Sequence, residues 1–216
     1  MRSKFCLTVL LFFSVFMCYA QEYSDDFLVV SVQYISKTNM TKIEKKNYCA
    51  LFKCESGQSY YKLKYRVIES FTSQKKNPKI IEIFAECKYC FKNKYQLLFL
   101  LKSKHYYLYE LSPIYPTRDK KWASSYDGII DHIDIYEDEL KDIDFYPSVK
   151  FPLAEETIVK KNKIKDEGLY EISDEFYYLK KGLYINEYFE KYFPSILGRY
   201  VAEVNAKEIN RDLLIN

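Results

Sequence analysis

A run of alternating apolar and basic side chains in the first half of the sequence constrains the fold most strongly. Every second residue between positions 61 and 67 is apolar and the intervening ones are basic: Tyr61, Leu63, Tyr65 and Val67 alternate with Lys62, Lys64 and Arg66. Successive side chains of a β-strand point to opposite faces, so this alternation indicates one buried face and one solvated face. The run therefore predicts a strand of an antiparallel sheet.

Four further segments of the first half show strand-like patterns: 27–35, 80–85, 95–101 and 106–111. The first is predicted to be half-buried, because Ser31 and Gln33 alternate with its apolar residues. Pro78 marks a turn before the second segment, since proline cannot continue a ladder of backbone hydrogen bonds. The polar tip Lys102–His105 separates the last two segments. Together with residues 61–67, these segments predict an antiparallel meander of about five strands.

The second half of the sequence predicts a long amphipathic helix soon after Pro116. Between Asp127 and Asp144, apolar residues recur at spacings of four and three and share one helical face: Ile129, Ile133, Tyr136, Leu140 and Ile143. Asp127 is a plausible N-cap, since its carboxylate can accept hydrogen bonds from free backbone N–H groups. This spacing predicts a helix over residues 127–144.

Beyond that helix, the sequence predicts a hairpin and two short helices. Residues 175–179 and 183–186 flank a turn at Lys180-Lys181-Gly182, where the glycine could take a positive φ. Apolar residues from Ile185 suggest a helix that ends at Pro194, and those from Leu197 to Val204 suggest either another helix or a strand.

These patterns define an α+β fold with an N-terminal antiparallel β-meander and a helical and hairpin C-terminal half. We expect a β-rich domain over residues 21–116 and an α/β C-terminal region over residues 117–216 packed on it.

The first 20 residues have the three parts of a secretory signal peptide. Basic Arg2 and Lys4 precede an apolar run over residues 5–17, and Ala20 supplies a small residue before Gln21. That run is shorter than the roughly 20 residues that a membrane-spanning helix requires. We therefore expect cleavage near Ala20, a secreted or periplasmic location, and a soluble mature chain without a membrane span.

The charge balance argues against nucleic acid as a partner. Basic side chains number 33 and acidic ones 30, and Arg2 and Lys4 leave with the leader, so the mature chain has a net charge of about +1. The concentrated basic stripe that nucleic-acid binding requires is missing from the sequence. We expect a protein or a component of the cell envelope as the partner.

Common catalytic motifs are also missing from the sequence. It contains no G-x-S-x-G and no H-E-x-x-H, and its five glycines leave little room for a phosphate-binding loop. We therefore expect no metal ion and no cofactor, and we favour a non-enzymatic function.

Four cysteines remain once Cys6 and Cys18 leave with the leader: Cys49, Cys54, Cys87 and Cys90. An even number favours disulfides in an oxidising compartment, and four cysteines permit three pairings. The favoured pattern joins the 49–54 segment to the 87–90 segment, which would close a loop of about 30 to 40 residues and stabilise the fold by about 3 to 4 kcal/mol. The alternative is a four-thiolate zinc site, which would close the same loop with a metal.

The segment Ile80–Lys92, with the string Ile-Ile-Glu-Ile-Phe-Ala-Glu-Cys-Lys-Tyr-Cys-Phe-Lys, resembles the strand and C-x-x-C turn of thioredoxins. In that family the first cysteine attacks as a thiolate and the second resolves the mixed disulfide. The resemblance implies these roles for Cys87 and Cys90, and a thiol-disulfide oxidoreductase as the alternative function.

A longer resemblance covers roughly residues 26–115. An early hydrophobic strand, the segment Tyr60–Ser70, and a cysteine-bearing segment that leads into an apolar strand follow each other here. This order is similar to that of netrin-like and metalloproteinase-inhibitor-like OB-fold modules, in which a cysteine precedes an apolar strand that ends in Phe, as Cys90 and Phe99 do. The resemblance implies an OB-like barrel that serves as a binding scaffold. It does not imply protease inhibition, because the mature N-terminus has no cysteine to chelate a metal.

Overall fold

Five strands in the first half of the chain form the ring on which the rest of the molecule is built. A computed structural model describes residues 23–54, 57–72, 78–86, 93–125, 140–152, 170–172 and 176–215. The five strands are β1 (Phe27–Asn39), β2 (Tyr60–Ser70), β3 (Ile80–Glu86), β4 (Tyr95–Lys102) and β5 (Tyr106–Pro116). All five predicted strand segments are confirmed, and β1, β2 and β5 extend beyond their predicted ends.

The order of pairing is more complex than a simple meander. β1, β2 and β3 pair antiparallel in succession, as do β4 and β5, but β4 pairs with β1 instead of β3. β3 then pairs with β5 in parallel, with Ile83 opposite Tyr106 and Phe84 opposite Tyr107. These pairings close a ring in the order β1-β2-β3-β5-β4.

Alternate side chains of the strands fill the interior of this ring. The buried members of the cluster are Leu28, Val30, Val32, Leu63, Tyr65, Ile81, Ile83, Ala85, Leu98 and Leu100. The predicted inward face of β2 is confirmed, because Tyr61 and Val67 also pack against this cluster. The hydroxyl of Tyr65 donates a hydrogen bond to Gln96 Oε1 at 2.8 Å, which satisfies two polar groups that would otherwise be costly to bury.

The prediction that β1 is half-buried is confirmed for its apolar face at Leu28, Val30 and Val32 but wrong for the opposite face over Phe27–Val32, which is also buried. Leu28 and Val30 face the interior of the ring, whereas Phe27 and Val29 belong to a second core on its outer side. Both faces are buried because the C-terminal half covers the outer side of β1. The alternation rule assumed solvent on one face, and a second layer of structure replaces that solvent.

A helix that the sequence interpretation missed lies between β1 and β2. The helix α1 (Lys42–Leu51) begins at Thr41, whose hydroxyl accepts from the Glu44 N–H at 3.3 Å while the Glu44 carboxylate accepts from the Thr41 N–H at 2.8 Å. This reciprocal pair is a capping box. Tyr48 and Leu51 are the buried residues of α1 and join the second core.

Short strands continue the ring sheet into the C-terminal half. The strands β6 (Trp122–Ser125), β7 (Lys141–Asp142) and β11 (Lys181–Tyr184) extend the sheet beyond β5 in the order β5-β6-β11-β7. A separate three-stranded sheet has the order β8-β10-β9 and consists of β8 (Lys150–Pro152), β9 (Tyr170–Ile172) and β10 (Phe176–Leu179). The sheet therefore crosses residue 116, while the division into two domains there stays a prediction.

The predicted hairpin around Gly182 is wrong. Its two arms correspond to β10 and β11, which belong to different sheets and do not pair with each other. Gly182 lies within β11 opposite Ser125, and a Cβ atom there would come within 2.4 Å of the Ser124 carbonyl oxygen. The glycine is needed for this close approach of two backbones and not for a turn.

Most of the helix predicted over residues 127–144 lies outside the described residues. Its last five residues are described, and they are not helical, since Lys141 and Asp142 form β7. Leu140 and Ile143 are buried as predicted, but they join the second core from an extended segment.

One long helix covers the outer side of the ring. The helix α2 (Ile185–Asn205) runs through Pro194, so the prediction of two short helices is wrong. Its buried face is a single stripe, formed by Ile185, Tyr188, Tyr192, Ile196 and Tyr200. Packing this stripe outweighs the roughly 3 kcal/mol by which an internal proline disfavours a helix.

A short terminal helix, α3 (Asp212–Ile215), follows α2 and completes the described secondary structure. Within the described ranges, no helix has the length and apolar character needed to cross a membrane.

Candidate functional site

A disulfide ties the end of α1 to the segment that follows it. Cys49 and Cys54 are bonded, and their Cα atoms are 5.2 Å apart. The predicted bridge from this segment to the 87–90 segment is therefore wrong for these two cysteines. The reason is local: Cys49 lies in the last turn of α1, and the chain leaves the helix at Phe52 in an extended conformation, which brings Cys54 back beside Cys49.

The same bond removes the predicted zinc alternative, because Cys49 and Cys54 cannot act as thiolate ligands while they are bonded to each other. Across the residues that the structure describes, no group of three or more His, Cys, Asp or Glu side chains is placed to hold a metal ion. Cys87 and Cys90 lie outside the described residues, and so does the leader.

A groove of about 750 Å³ lies beside the disulfide, on the outer side of the ring, and we call it the β5 groove. Its walls come from the end of α1 and the segment after it, the last residue of β3, the middle of β5, and the end of α2 with the turn that follows. The lining side chains are Tyr48, Phe52, Lys53, Cys54, Gln58, Glu86, Leu108, Tyr109, Glu110, Leu111, Glu203, Glu208 and Ile209.

Backbone hydrogen bonds fix one wall of the groove to another. Phe52 forms an isolated β-bridge with Ile209, and the Lys53 N–H donates to the Glu208 carbonyl at 3.3 Å. The Asn210 N–H donates to the Leu51 carbonyl at 2.9 Å. These contacts join the end of α1 to the chain after α2, which lies more than 150 residues farther along the sequence.

A β-bulge in β5 shapes the floor of the groove. Leu100 of β4 is opposite Leu108, but the preceding Phe99 is opposite Glu110, so Tyr109 is the extra residue. Leu108 and Leu111 line the groove and also pack against the ring interior, whereas Tyr109 packs against the core on the outer side and is followed by Glu110. Bulges are known to redirect side chains in this way near functional sites.

Tyr109 and Glu110 are held by Arg199 and Glu203 of α2. Arg199 forms an ion pair with Glu110, and its Nε donates to the Tyr109 hydroxyl at 3.4 Å. The guanidinium carbon lies 5.5 Å from the centroid of the Tyr109 ring. Burial raises the pKa of Tyr109, and the hydrogen bond that its hydroxyl donates to Glu203 acts in the same direction. Tyr109 is therefore a neutral phenol at physiological pH.

Tyr48 occupies the opposite wall and is similarly fixed. Its hydroxyl accepts a hydrogen bond from the Glu86 N–H at 3.2 Å, and its ring is 4.8 Å from the ring of Phe52. Burial raises the pKa of Tyr48 well above its ordinary value. The phenols at both walls thus contribute rings and hydroxyls to the groove and no charge.

The groove carries a net negative charge. Glu86, Glu110, Glu203 and Glu208 line it, whereas Lys53 is the basic residue among the lining side chains. Acidic groups outnumber basic ones even when Arg199, the partner of Glu110, is included. The groove therefore differs from the chain as a whole, which is nearly neutral.

A second hollow, of about 720 Å³, lies between β7 and the small sheet. Two of its carboxylates already form ion pairs: Asp144 with Arg118 at 2.7 Å and Glu171 with Lys180 at 2.6 Å. We consider the β5 groove the better candidate site, because it is slightly larger and lies beside the bulge in β5.

Comparison with known protein families, with curated proteins and with solved structures finds no match to this chain. The site is thus defined by geometry alone. Apart from Cys54, sequence reasoning missed every residue of the β5 groove, because no motif links residues that come from five separate segments. The close spacing of Cys49 and Cys54 was the signal that could have located one wall of it.

Proposed function

We propose that this protein is an exported, non-enzymatic binding module whose ligand occupies the β5 groove. The leader predicts export, and a disulfide between Cys49 and Cys54 is of the kind that persists in oxidising compartments. We further propose that the ring of five strands is an OB-like barrel and serves as a rigid scaffold for the groove.

The observation that carries the proposal is the bulge in β5. It directs two successive side chains, Tyr109 and Glu110, into a hollow that is also walled by Tyr48 and Phe52. A concave surface with aromatic walls and a few fixed polar groups is the usual composition of a binding site. Tyr48, Tyr109 and Glu110 are held by partners on other elements, so this part of the groove is preformed and loses little entropy on binding.

Ligand screening by NMR tests this proposal. A library of short peptides and small molecules of both charges is titrated into the isotope-labelled mature protein, and amide shifts are mapped on the structure. We expect the shifts to concentrate at residues 52–54, 108–111 and 203–209. Shifts that concentrate on the exposed face of β2, or no specific shifts at all, would contradict the assignment of the site.

Export is tested separately by sequencing the amino terminus of the protein recovered from outside the cytoplasm. A start at Gln21 is expected, and an intact Met1 on cytoplasmic protein would contradict the proposal.

A second function, thiol-disulfide exchange by Cys87 and Cys90, gains support from the bond between Cys49 and Cys54. With that bond in place, Cys87 and Cys90 are the remaining cysteines of the mature chain, so their disulfide partners within the chain can only be each other. A C-x-x-C pair of this kind is the working unit of many oxidoreductases.

Alkylation with mass mapping decides between a redox pair and an inert one. For an oxidoreductase, mild reductant should open the 87–90 bond before the 49–54 bond. The Cys87 thiol should also react rapidly with the alkylating reagent at pH values below about 8.5, the ordinary pKa of a cysteine thiol. Slow alkylation with an ordinary pH dependence would remove this candidate.

A further inference from the structure

We propose that the β5 groove binds a lysine- or arginine-bearing segment of a partner polypeptide. The inference rests on the proposed binding function and adds the chemical class of the ligand. It is carried by the charge of the groove, by its aromatic walls, and by an arginine of the protein itself that is already bound in the proposed manner.

The carboxylates are the first argument. The four glutamates of the groove come from β3, β5, α2 and the turn after α2, so their negative charge is spread along the walls. A cleft lined by one sign of charge concentrates field lines and attracts ligands of the opposite sign. One of the four, Glu110, is already paired with Arg199, and the groove remains net negative, so complementary charge favours a cationic ligand.

The aromatic rings are the second argument. Phe52 and Tyr109 line the groove and are half-buried, and the face of an aromatic ring attracts a cation within about 6 Å of its centroid. Rings and carboxylates together can bind a guanidinium or an ammonium group from two directions, because the ring contacts its flat or apolar part and the carboxylate accepts its hydrogen bonds.

Arg199 shows that this chemistry operates at the site. Its guanidinium lies 5.5 Å from the Tyr109 ring centroid and forms an ion pair with Glu110, so one cation of the protein is bound by a ring and a carboxylate at the edge of the groove. Half-buried Phe52 and exposed Glu208 provide the same two kinds of group along the rest of the groove.

The size of the groove favours a polypeptide segment over a metal ion. A volume of about 750 Å³ far exceeds what one ion needs, and the described residues contain no cluster suited to metal binding. Hollows of this size typically accommodate ligands of several residues or of drug size.

The test uses calorimetry on the mature protein with three six-residue probe peptides, in which glycine alternates with lysine, with serine or with glutamate. We expect the lysine peptide to bind and the other two to bind at least about tenfold more weakly. Its affinity should fall as salt is raised, since half-exposed charges are screened.

The matched variants are Glu203→Gln combined with Glu208→Gln in the groove, and Glu190→Gln on the exposed side of α2. The side-chain amide that Glu203→Gln introduces can still accept from Tyr109, so the groove should keep its shape. We expect the double variant to bind the lysine peptide about five- to tenfold more weakly, as for the loss of two half-exposed charge contacts. The Glu190→Gln variant should bind as the native protein does, and melting temperatures check that all variants fold.

The outcomes separate this inference from the proposed function. If the serine or glutamate peptide shifts the groove amides as strongly as the lysine peptide, the cationic class is wrong and the binding function stands. If the double variant binds the lysine peptide with native affinity, the groove carboxylates do not select the ligand and the inference is overturned. If none of the three peptides binds while another ligand of the library shifts the groove amides, the inference fails and the proposed function stands; if no ligand shifts them, both proposals fail.

Discussion

The ring of strands and the C-terminal half are built by different means. The ring strands β1 to β5 are between 7 and 13 residues long and pair along almost their whole length. The strands β6 to β11 are only 2 to 4 residues long. The comparison teaches that cross-strand pairs hold the ring, whereas the C-terminal half is held mainly by the packing of α2 on the outer face of the ring.

The largest effect is expected from a substitution at the junction of the two regions. Phe27 of β1 is fully buried, and its ring is 5.7 Å from that of Phe193 and 5.0 Å from that of Tyr200, both in α2. Phe27→Ala should lower the free energy of unfolding by about 3 to 5 kcal/mol, because it leaves a cavity between the regions. Urea denaturation measures the loss.

The control is Ile43→Ala, because Ile43 is 73% exposed on α1 and its truncation should change stability by less than about 0.5 kcal/mol. Hydrogen exchange sharpens the comparison: Phe27→Ala should expose the amides of α2 more than those of β2. Equal loss of protection in both would mean that the two regions unfold as one unit.

A smaller effect is expected where the two ends of the described chain meet. Asp26 accepts from Arg211 Nε at 2.7 Å and from the Tyr200 hydroxyl at 2.9 Å, and the Asp26 and Arg211 side chains are only 12% and 14% exposed. Asp26→Ala should cost about 2 to 3 kcal/mol, somewhat less than for a completely buried pair.

A double-mutant cycle with Arg211→Met checks that the effect of Asp26→Ala comes from the pair itself. If the two losses simply add, the ion pair does not join the regions.

Substitution of Gly182 and of Gly198 by alanine should change the stability of the protein in opposite directions. Gly182→Ala should cost about 1 to 3 kcal/mol, because the new methyl group would overlap the Ser124 carbonyl and separate β11 from β6. Gly198 lies in the middle of α2, and the methyl group of alanine there would have no atom within 4 Å. Because alanine favours a helix more than glycine does, Gly198→Ala should stabilise the protein by about 0.5 to 1 kcal/mol. Thermal denaturation of both variants measures the difference, and equal effects would contradict the close packing of β11.

The smallest effect is expected from lowering the pH, which protonates Asp119 in the exposed turn between β5 and β6. A hydrogen bond from the Thr117 hydroxyl, helped by Lys121, lowers the pKa of Asp119 to about 2. Because the folded pKa lies below the unfolded one, the stabilisation is present above about pH 4 and is lost as pH falls towards 2. NMR titration of the Asp119 carboxyl group should show this pKa, and Thr117→Val should raise it. An unchanged pKa in that variant would contradict the cause.

The cysteines show what a local sequence pattern can and cannot predict. The sequence correctly placed a disulfide candidate at Cys49 and at Cys54, but loop-closure entropy favoured a distant partner for each. The actual pairing is short-range, because α1 ends at Leu51 and the chain turns back immediately. The missed helix itself was visible in Thr41 and Glu44, which are spaced as a capping box.

The sequence by itself determined the five strands of the ring, because the alternation of side chains depends only on backbone geometry and needs no partner. It also indicated the first half of the buried stripe of α2, at Ile185, Tyr188 and Tyr192, but neither the continuity of the helix through Pro194 nor its second half. Tertiary structure alone decided the closure of β3 on β5, the burial of both faces of β1 over Phe27–Val32, and the β5 groove. These features join residues that are far apart in the chain. Packing between such residues produces no periodic pattern within any one segment, so the sequence alone does not show it.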